Sequence, residues 1–207
     1  SARAVRSRWL ARSADMMDVE PSSFVETVQE NPPRPSKDGL TGLGGADFIR
    51  SHLDYEVERH KRYGADLSVV LVDVDRLGSL NDQHGYDAGD IVLQGVGKLI
   101  ADTVRRADVA GRYGGEEFLV VCPHTGEDGA AILAQRLSEG VHRLRARHKG
   151  SDLAVTLSIG IAATGEQYGD QEGPVRLMSL AEAALRRSKE RGRDRITRGS
   201  ELELESA

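Results

Sequence analysis

The sequence predicts an α+β domain with a mixed or mostly antiparallel central sheet and helices on its faces. Three observations point there. "LSVVLVDVD" (67–75) is apolar on both parities, as a strand buried on both faces must be. "DVAGRYGGEEFLVVCP" (108–123) reads as two strand-like pieces around Gly114 and Gly115, a hairpin that no purely parallel sheet contains. Around these lie amphipathic helices, giving the order helix, strand, helix, hairpin, helix, strand, helix.

Each element has its own signature. Pro32, Pro33 and Pro35 forbid regular helix and mark a linker. Before them, Arg3, Arg6, Arg8, Trp9 and Arg12 suggest a short helix with a solvated basic face, continuing an upstream region. Phe48, Ile49, Leu53, Val57 and Tyr63 fall at near-helical spacing and stop at Gly64. After the 67–75 strand, Ile91, Leu93, Val96, Leu99, Ile100 and Val104 supply the apolar side of a helix over 89–105; its Gly95 and Gly97 suit close packing on a sheet. "EDGAAILAQRLSEGVHRLRARH" is a further amphipathic helix, with Arg143, Arg145, Arg147, His148 and Lys149 read as its solvated end beside the helix dipole. "LAVTLSIGIAAT" is a strand, Pro174 opens a last helix stopped at Gly192, and "DRITR" is a final strand. The division expected is 1–36 as extension and linker, 37–200 as the domain, and 201–207 as a tail.

The chain has 207 residues, 39% apolar and 29% charged, enough for one domain with a core plus an extension. Its net charge of −5 argues against non-specific nucleic-acid binding. No apolar run approaches a membrane span, and the single Cys122 fits a reducing compartment, so the expected location is cytoplasmic. A start without Met is read as a piece of a longer protein. In "LVVCP", Cys122 reads as a buried small hydrophobe.

Carboxylates supply the anomaly. Asp73 ends a strand that should be buried, and an unpaired buried carboxylate is relieved by a partner, a proton or a metal. Glu116 and Glu117 stand at the shoulder of the hairpin. If that hairpin pairs with the 67–75 strand, three carboxylates converge, the oxygen-rich setting that suits Mg²⁺ and phosphoryl chemistry. Separately, a strand-ending Asp is a turn former and a Glu pair is surface.

Five motifs in order carry a resemblance across residues 37 to 198. "GGEEF" (114–118) resembles the signature of the GGDEF-domain diguanylate cyclases, with Glu in its third position. "DGLTGL" (38–43) is similar to the family's opening motif, and "DVDRLGSLNDQHGYDAGDIVL" (73–93) to its Asp-x-Asp…Asn-Asp…Gly-x-x-x-Gly-Asp segment. "RRAD" (105–108) gives an Arg-x-x-Asp five residues ahead of Gly114, and "AALRRSKERGRDR" (183–195) resembles the closing Lys-x-x-Gly-Arg helix end. The resemblance implies a palm-like fold similar to nucleotidyl cyclases. It also implies condensation of two GTP into cyclic di-GMP and two pyrophosphates across a homodimer, each 3′-hydroxyl attacking the other nucleotide's α-phosphate.

Residue by residue, the resemblance implies that Asp73, the Val74 carbonyl, Glu116 and Glu117 hold Mg²⁺ or Mn²⁺, two ions per half-site. Glu116 or a metal-bound hydroxide is implied as the base, and Glu117 as an indispensable acidic neighbour. Asn81 and Asp90 are implied as guanine readers; Asp accepts from guanine N1–H and its exocyclic amine, an edge adenine lacks. Lys189 and Arg193, with the Leu77–Gly78–Ser79 backbone, are implied phosphate contacts. Arg105 and Asp108 match the family's inhibitory product site, where the guanidinium fork suits phosphate and guanine. The sequence departs from the pattern at Gly78, where the family carries a Lys that contacts the triphosphate, and at Leu77, His84, Arg186 and Gly45–Asp47. Two other readings stand beside the cyclase. One is a degenerate domain that binds cyclic di-GMP or GTP as a receptor. The other is a mixed GMP–AMP cyclase, which Asp90 opposes.

Overall fold

The computed structural model describes residues 31–165 and 173–206, so the basic segment around Trp9 lies outside the described residues. In chain order the elements are α1 (Ala46–Tyr63), β1 (Leu67–Val74), α2 (Leu77–His84), α3 (Tyr86–Thr103), β2 (Val109–Arg112), β3 (Glu117–Pro123) and α4 (Glu127–His142). They continue through β4 (Ala146–His148), β5 (Ser151–Leu153), β6 (Leu157–Ala163), α5 (Pro174–Glu190), β7 (Arg195–Arg198) and α6 (Gly199–Ser206).

Every residue of β1 is buried, because it is the middle strand of a sheet ordered β2-β3-β1-β6-β7. All pairings are antiparallel except β6 with β7. The alternation of side chains along β1 builds two cores. Val70, Val72 and Val74 pack with Val92, Val96 and Ile100 of α3 and Leu137 of α4. Leu67, Val69 and Leu71 pack with Ile49 and Leu53 of α1 and Ala181 and Leu185 of α5. Asp73 has the parity of Leu71, so it emerges on the α5 side of the sheet. That parity decides which helix can reach it.

The predicted α+β class and mostly antiparallel sheet are observed. So are the helix stop at Gly64, which is left-handed at φ 68°, and the final strand. Three local expectations are corrected. The stretch before Gly89 is helical: α2 and the first turn of α3 flank Gly85, whose φ of 86° breaks the helix between them. The basic run is not a helix end. α4 stops at His142, and Ala146–His148 pairs with Ser151–Leu153 around Lys149 and Gly150 at φ 48° and 86°. Positive φ at both central residues is the type I′ signature, which the Lys-Gly pair satisfies. Finally, the segment read as a tail begins within α6.

Cys122 is buried, and burial pushes its thiol well above the ordinary range, which keeps it protonated and inert as the apolar reading expected. No helix among the described residues is long and apolar enough to cross a membrane.

Candidate functional site

The β1–β3 ladder brings the acidic residues together. Asp73 lies directly opposite Glu117, and the Val74 N–H donates to the Glu116 carbonyl at 3.2 Å. The hairpin loop between β2 and β3 is closed from its own side, since Arg112 donates from Nε and Nη2 to the Gly115 carbonyl at 3.0 and 2.6 Å. Arg50 braces it from α1, donating to the Tyr113 carbonyl at 3.1 Å with its guanidinium 4.5 Å from the Tyr113 ring centre. Gly114 and Gly115 are not among the residues with positive φ, so the hairpin does not need them for its dihedrals. Nor does packing require Gly115, since a Cβ there would meet nothing within 4 Å.

Asp73 is buried, and a partner does relieve it. Lys189, near the C-terminus of α5, places Nζ 2.6 Å from Asp73 Oδ2. Burial still pushes the Asp73 carboxyl above its usual range, with Lys189 pulling down and Glu117 and Asp75 pushing up. Glu116 is raised by burial and then by the Asp73 charge, against the pull of Lys189. The carboxylates therefore sense one another, and one ammonium is shared among them. Among the described residues no three acidic, imidazole or thiol side chains are already gathered tightly enough to hold an ion. The donor set nonetheless fits a hard divalent cation. Its groups are oxygens, Asp73 and Glu116 are pushed toward protonation by burial and then by neighbouring carboxylates, and Lys189 is the positive charge that such an ion would supplant.

Asp75 belongs to the framework. It is buried, and accepts from Thr156 Oγ1 at 2.6 Å, Ser158 Oγ at 2.7 Å and the Asp194 N–H at 3.1 Å. Arg193 Nε lies 3.9 Å from its Oδ1. This ties the end of β1 to β6 and to the loop after α5. In the sequence only the first member of the Asp-x-Asp pair stands out; the second shows its role once Thr156 and Ser158 are folded against it.

Asn81 and Asp90 come together across the Gly85 break. Asn81 packs onto Gly89, where a Cβ would lie 2.0 Å from Asn81 Oδ1. That oxygen is buried with no hydrogen-bond partner, while the adjacent Asp90 is exposed on α3. A buried acceptor left without a partner calls for a donor. Leu77 is buried in the core, whereas Gly78 and Ser79 are exposed at the start of α2, with nothing near Gly78.

Arg105 and Asp108 stand apart, at the turn before β2. Asp108 Oδ2 accepts from the Arg105 backbone N–H at 2.9 Å, which leaves the Arg105 guanidinium exposed. The two line a small cleft with Arg136 of α4, a residue the sequence reading did not single out. Its only signal was position: one arginine on the exposed face of an amphipathic helix.

Comparison with known proteins places the chain in a family. Residues 36–195 match the family model described as "Diguanylate cyclase, GGDEF domain". The chain is 32% identical over 192 residues to the diguanylate cyclase DgcP of Pseudomonas aeruginosa, covering 92% of this chain and 28% of that protein. It is 38% identical over 150 residues to diguanylate cyclase A of Treponema denticola, covering 72% of this chain and 39% of the other. The chain thus spans about a third of the length of these curated relatives. Among solved structures it resembles the GGDEF domain of DgcB from Caulobacter crescentus in complex with c-di-GMP, with a TM-score of 0.75 and 27% identity, over 81% of this chain and 98% of that one.

Proposed function

The chain belongs to the GGDEF domain family, and from that premise we propose that it is a diguanylate cyclase, condensing two GTP into cyclic di-GMP and two pyrophosphates. One observation carries the reading: Asp73 faces Glu117 across the β1–β3 ladder with Glu116 beside it and Lys189 on Asp73. Asp73, Glu116, Glu117 and the Val74 carbonyl are the groups to hold Mg²⁺. Such an ion lowers the pKa of the attacking 3′-hydroxyl and neutralises charge on the phosphates. Glu116, raised toward protonation, is the side chain placed to take the hydroxyl proton. Release of Lys189 from Asp73 turns its ammonium toward the triphosphate, with Arg193 beside it.

Guanine selection follows from acceptors. Asn81 Oδ1 and the Asp90 carboxylate both need donors, which guanine offers at N1–H and its exocyclic amine. At that edge adenine presents an acceptor at N1 and no 2-amine, so ATP lacks the adjacent pair of donors that the Asp90 carboxylate calls for. This reading supports guanine at both half-sites over a mixed product. One domain holds half of the reacting pair, so two copies must face each other for bond formation. Product feedback is assigned to Arg105 and Asp108 with Arg136, whose guanidinium groups are free to grip the cyclic dinucleotide.

The direct test is incubation with GTP and Mg²⁺ followed by mass spectrometry of the products. Cyclic di-GMP and pyrophosphate are expected from the wild type and none from Glu117→Ala; identical silence from both sinks the enzyme reading. Gly78 favours the receptor reading, in which the chain binds cyclic di-GMP through Arg105 without turnover. Calorimetry with Arg105→Ala separates the two. Gly89→Ala tests the guanine site. Its methyl collides with Asn81 Oδ1 and turns the amide away, so KM for GTP should rise about tenfold, the worth of one hydrogen bond to a buried polar group. Thermal stability should hardly move, because Ala is the better helix former. An unchanged KM removes Asn81 from recognition.

A further inference from the structure

A second feature borders the phosphate end of the site. A groove of about 770 Å³ runs between α2, the β4–β5 hairpin and the loop after α5, lined by Arg76, Ser79, Arg145, Arg193 and Asp194, with Asp75 in its wall. Of the five non-glycine residues with positive φ among those described, Arg76, Arg193 and Asp194 line this groove. Left-handed backbone at a non-glycine residue is strained and recurs at functional sites.

The charges of the groove are unevenly matched. Asp75 already accepts three hydrogen bonds and faces Arg193. Asp194 Oδ1 is 3.0 Å from His142 Nε2, and Asp152 Oδ1 is 2.8 Å from Arg147 Nε. Arg76, exposed at the N-cap of α2 with φ 58°, has no acidic partner among the described residues. Lys189 and Arg193, the phosphate cations of the proposed reaction, are each shared with a carboxylate. Gly78, two residues on, offers backbone alone and open space. A triphosphate at this end of the site therefore meets one uncommitted side-chain cation from α2.

We propose that Arg76 grips the terminal phosphate of GTP and the departing pyrophosphate, supplying from the helix N-cap the positive charge that Gly78 lacks. This rests on the cyclase reading and deepens it. The left-handed backbone of Arg76 turns its side chain into the groove beside Arg193, and the planar fork suits a terminal phosphate's paired oxygens.

The test compares wild type, Arg76→Gln, Arg76→Lys and Arg76→Gln/Gly78→Lys. Binding of α,β-methylene-GTP with Mg²⁺ is measured by calorimetry, beside KM, kcat and inhibition by inorganic pyrophosphate. Arg76→Gln should weaken both the analogue and pyrophosphate at least about tenfold, the range for a hydrogen bond to a charged group. It should raise KM more than it lowers kcat, and leave GMP binding unchanged. Arg76→Lys should retain most of the affinity, and Gly78→Lys should restore most of what Arg76→Gln loses. Analogue and pyrophosphate affinities within twofold of wild type in a folded Arg76→Gln overturn the assignment, and so does failure of Gly78→Lys to rescue. A wild type that binds the analogue but makes no cyclic product sinks the cyclase reading alone, since the binding comparison still decides Arg76. A wild type that binds no GTP analogue overturns both.

Discussion

Asp73→Asn should lower cyclic di-GMP formation by about 10³-fold or more while leaving the domain folded. The substitution keeps the volume of a buried side chain and removes its charge. On the proposed reading it takes away one of the carboxylates that the β1–β3 ladder offers to a divalent cation. An ion at such a site supplies several kcal/mol of charge stabilisation in phosphoryl-group chemistry, and each 1.36 kcal/mol is about tenfold in rate. The stability effect should be much smaller. Lys189 loses its partner, but its side chain is 32% exposed and can turn to water, so the cost is held to about 1 kcal/mol. Mutual repulsion with Glu117 and Asp75 is relieved at the same time. The measurement is product formation at saturating GTP and Mg²⁺, with thermal unfolding alongside. Turnover within tenfold of wild type shows that Asp73 is not the cation-holding residue. Unfolding of the variant shows instead that the Asp73–Lys189 pair holds the end of β1 in place.

The same pair explains what the sequence did and did not reveal. Asp73 stood out because a carboxylate ended an apolar run, and its convergence with Glu116 and Glu117 followed once the hairpin was placed beside that strand. Both are short-range inferences from periodicity. That Lys189 would answer Asp73 needed the parity of β1 and the direction of α5, which lie 116 residues apart in sequence. The framework role of Asp75 was hidden for the same reason: its partners Thr156, just before β6, and Ser158, on β6, are distant in sequence and have no motif of their own. The β4–β5 hairpin was missed because a run of arginines masks period-two alternation, although Lys149–Gly150 carried the turn signal. The helix at Leu77–His84 was missed because its apolar content is slight and only Leu77 is buried. Asn81 was found through a motif, but its pairing with Gly89 is a packing fact that spacing alone does not express.

The largest effect on stability is expected from Gly160→Ala. Gly160 lies in mid-β6, opposite Leu71 of β1 and Thr197 of β7, under helix α5. A Cβ there would lie 2.2 Å from the Ala181 carbonyl oxygen, 2.4 Å from the Leu185 nitrogen and 2.9 Å from the Leu185 Cα. These are backbone atoms, so no change of rotamer relieves the clash; either the strand or the helix must move. Each is pinned. Ser188 Oγ donates to the Ile159 carbonyl at 2.8 Å and lies 2.8 Å from Thr197 Oγ1. Overpacking of a rigid core costs about 1–3 kcal/mol, and this clash sits at or above the top of that range. Gly78→Ala is the control. Nothing lies within 4 Å of its built Cβ, and Ala gains about 1 kcal/mol over Gly within a helix. Denaturant midpoints should therefore fall for Gly160→Ala and hold or rise for Gly78→Ala. Because α5 also carries Lys189, the displaced helix should draw the ammonium from Asp73, so activity should fall even where the variant remains folded. A loss of stability under about 1 kcal/mol for Gly160→Ala means that α5 does not rest on β6 as closely as the packing requires.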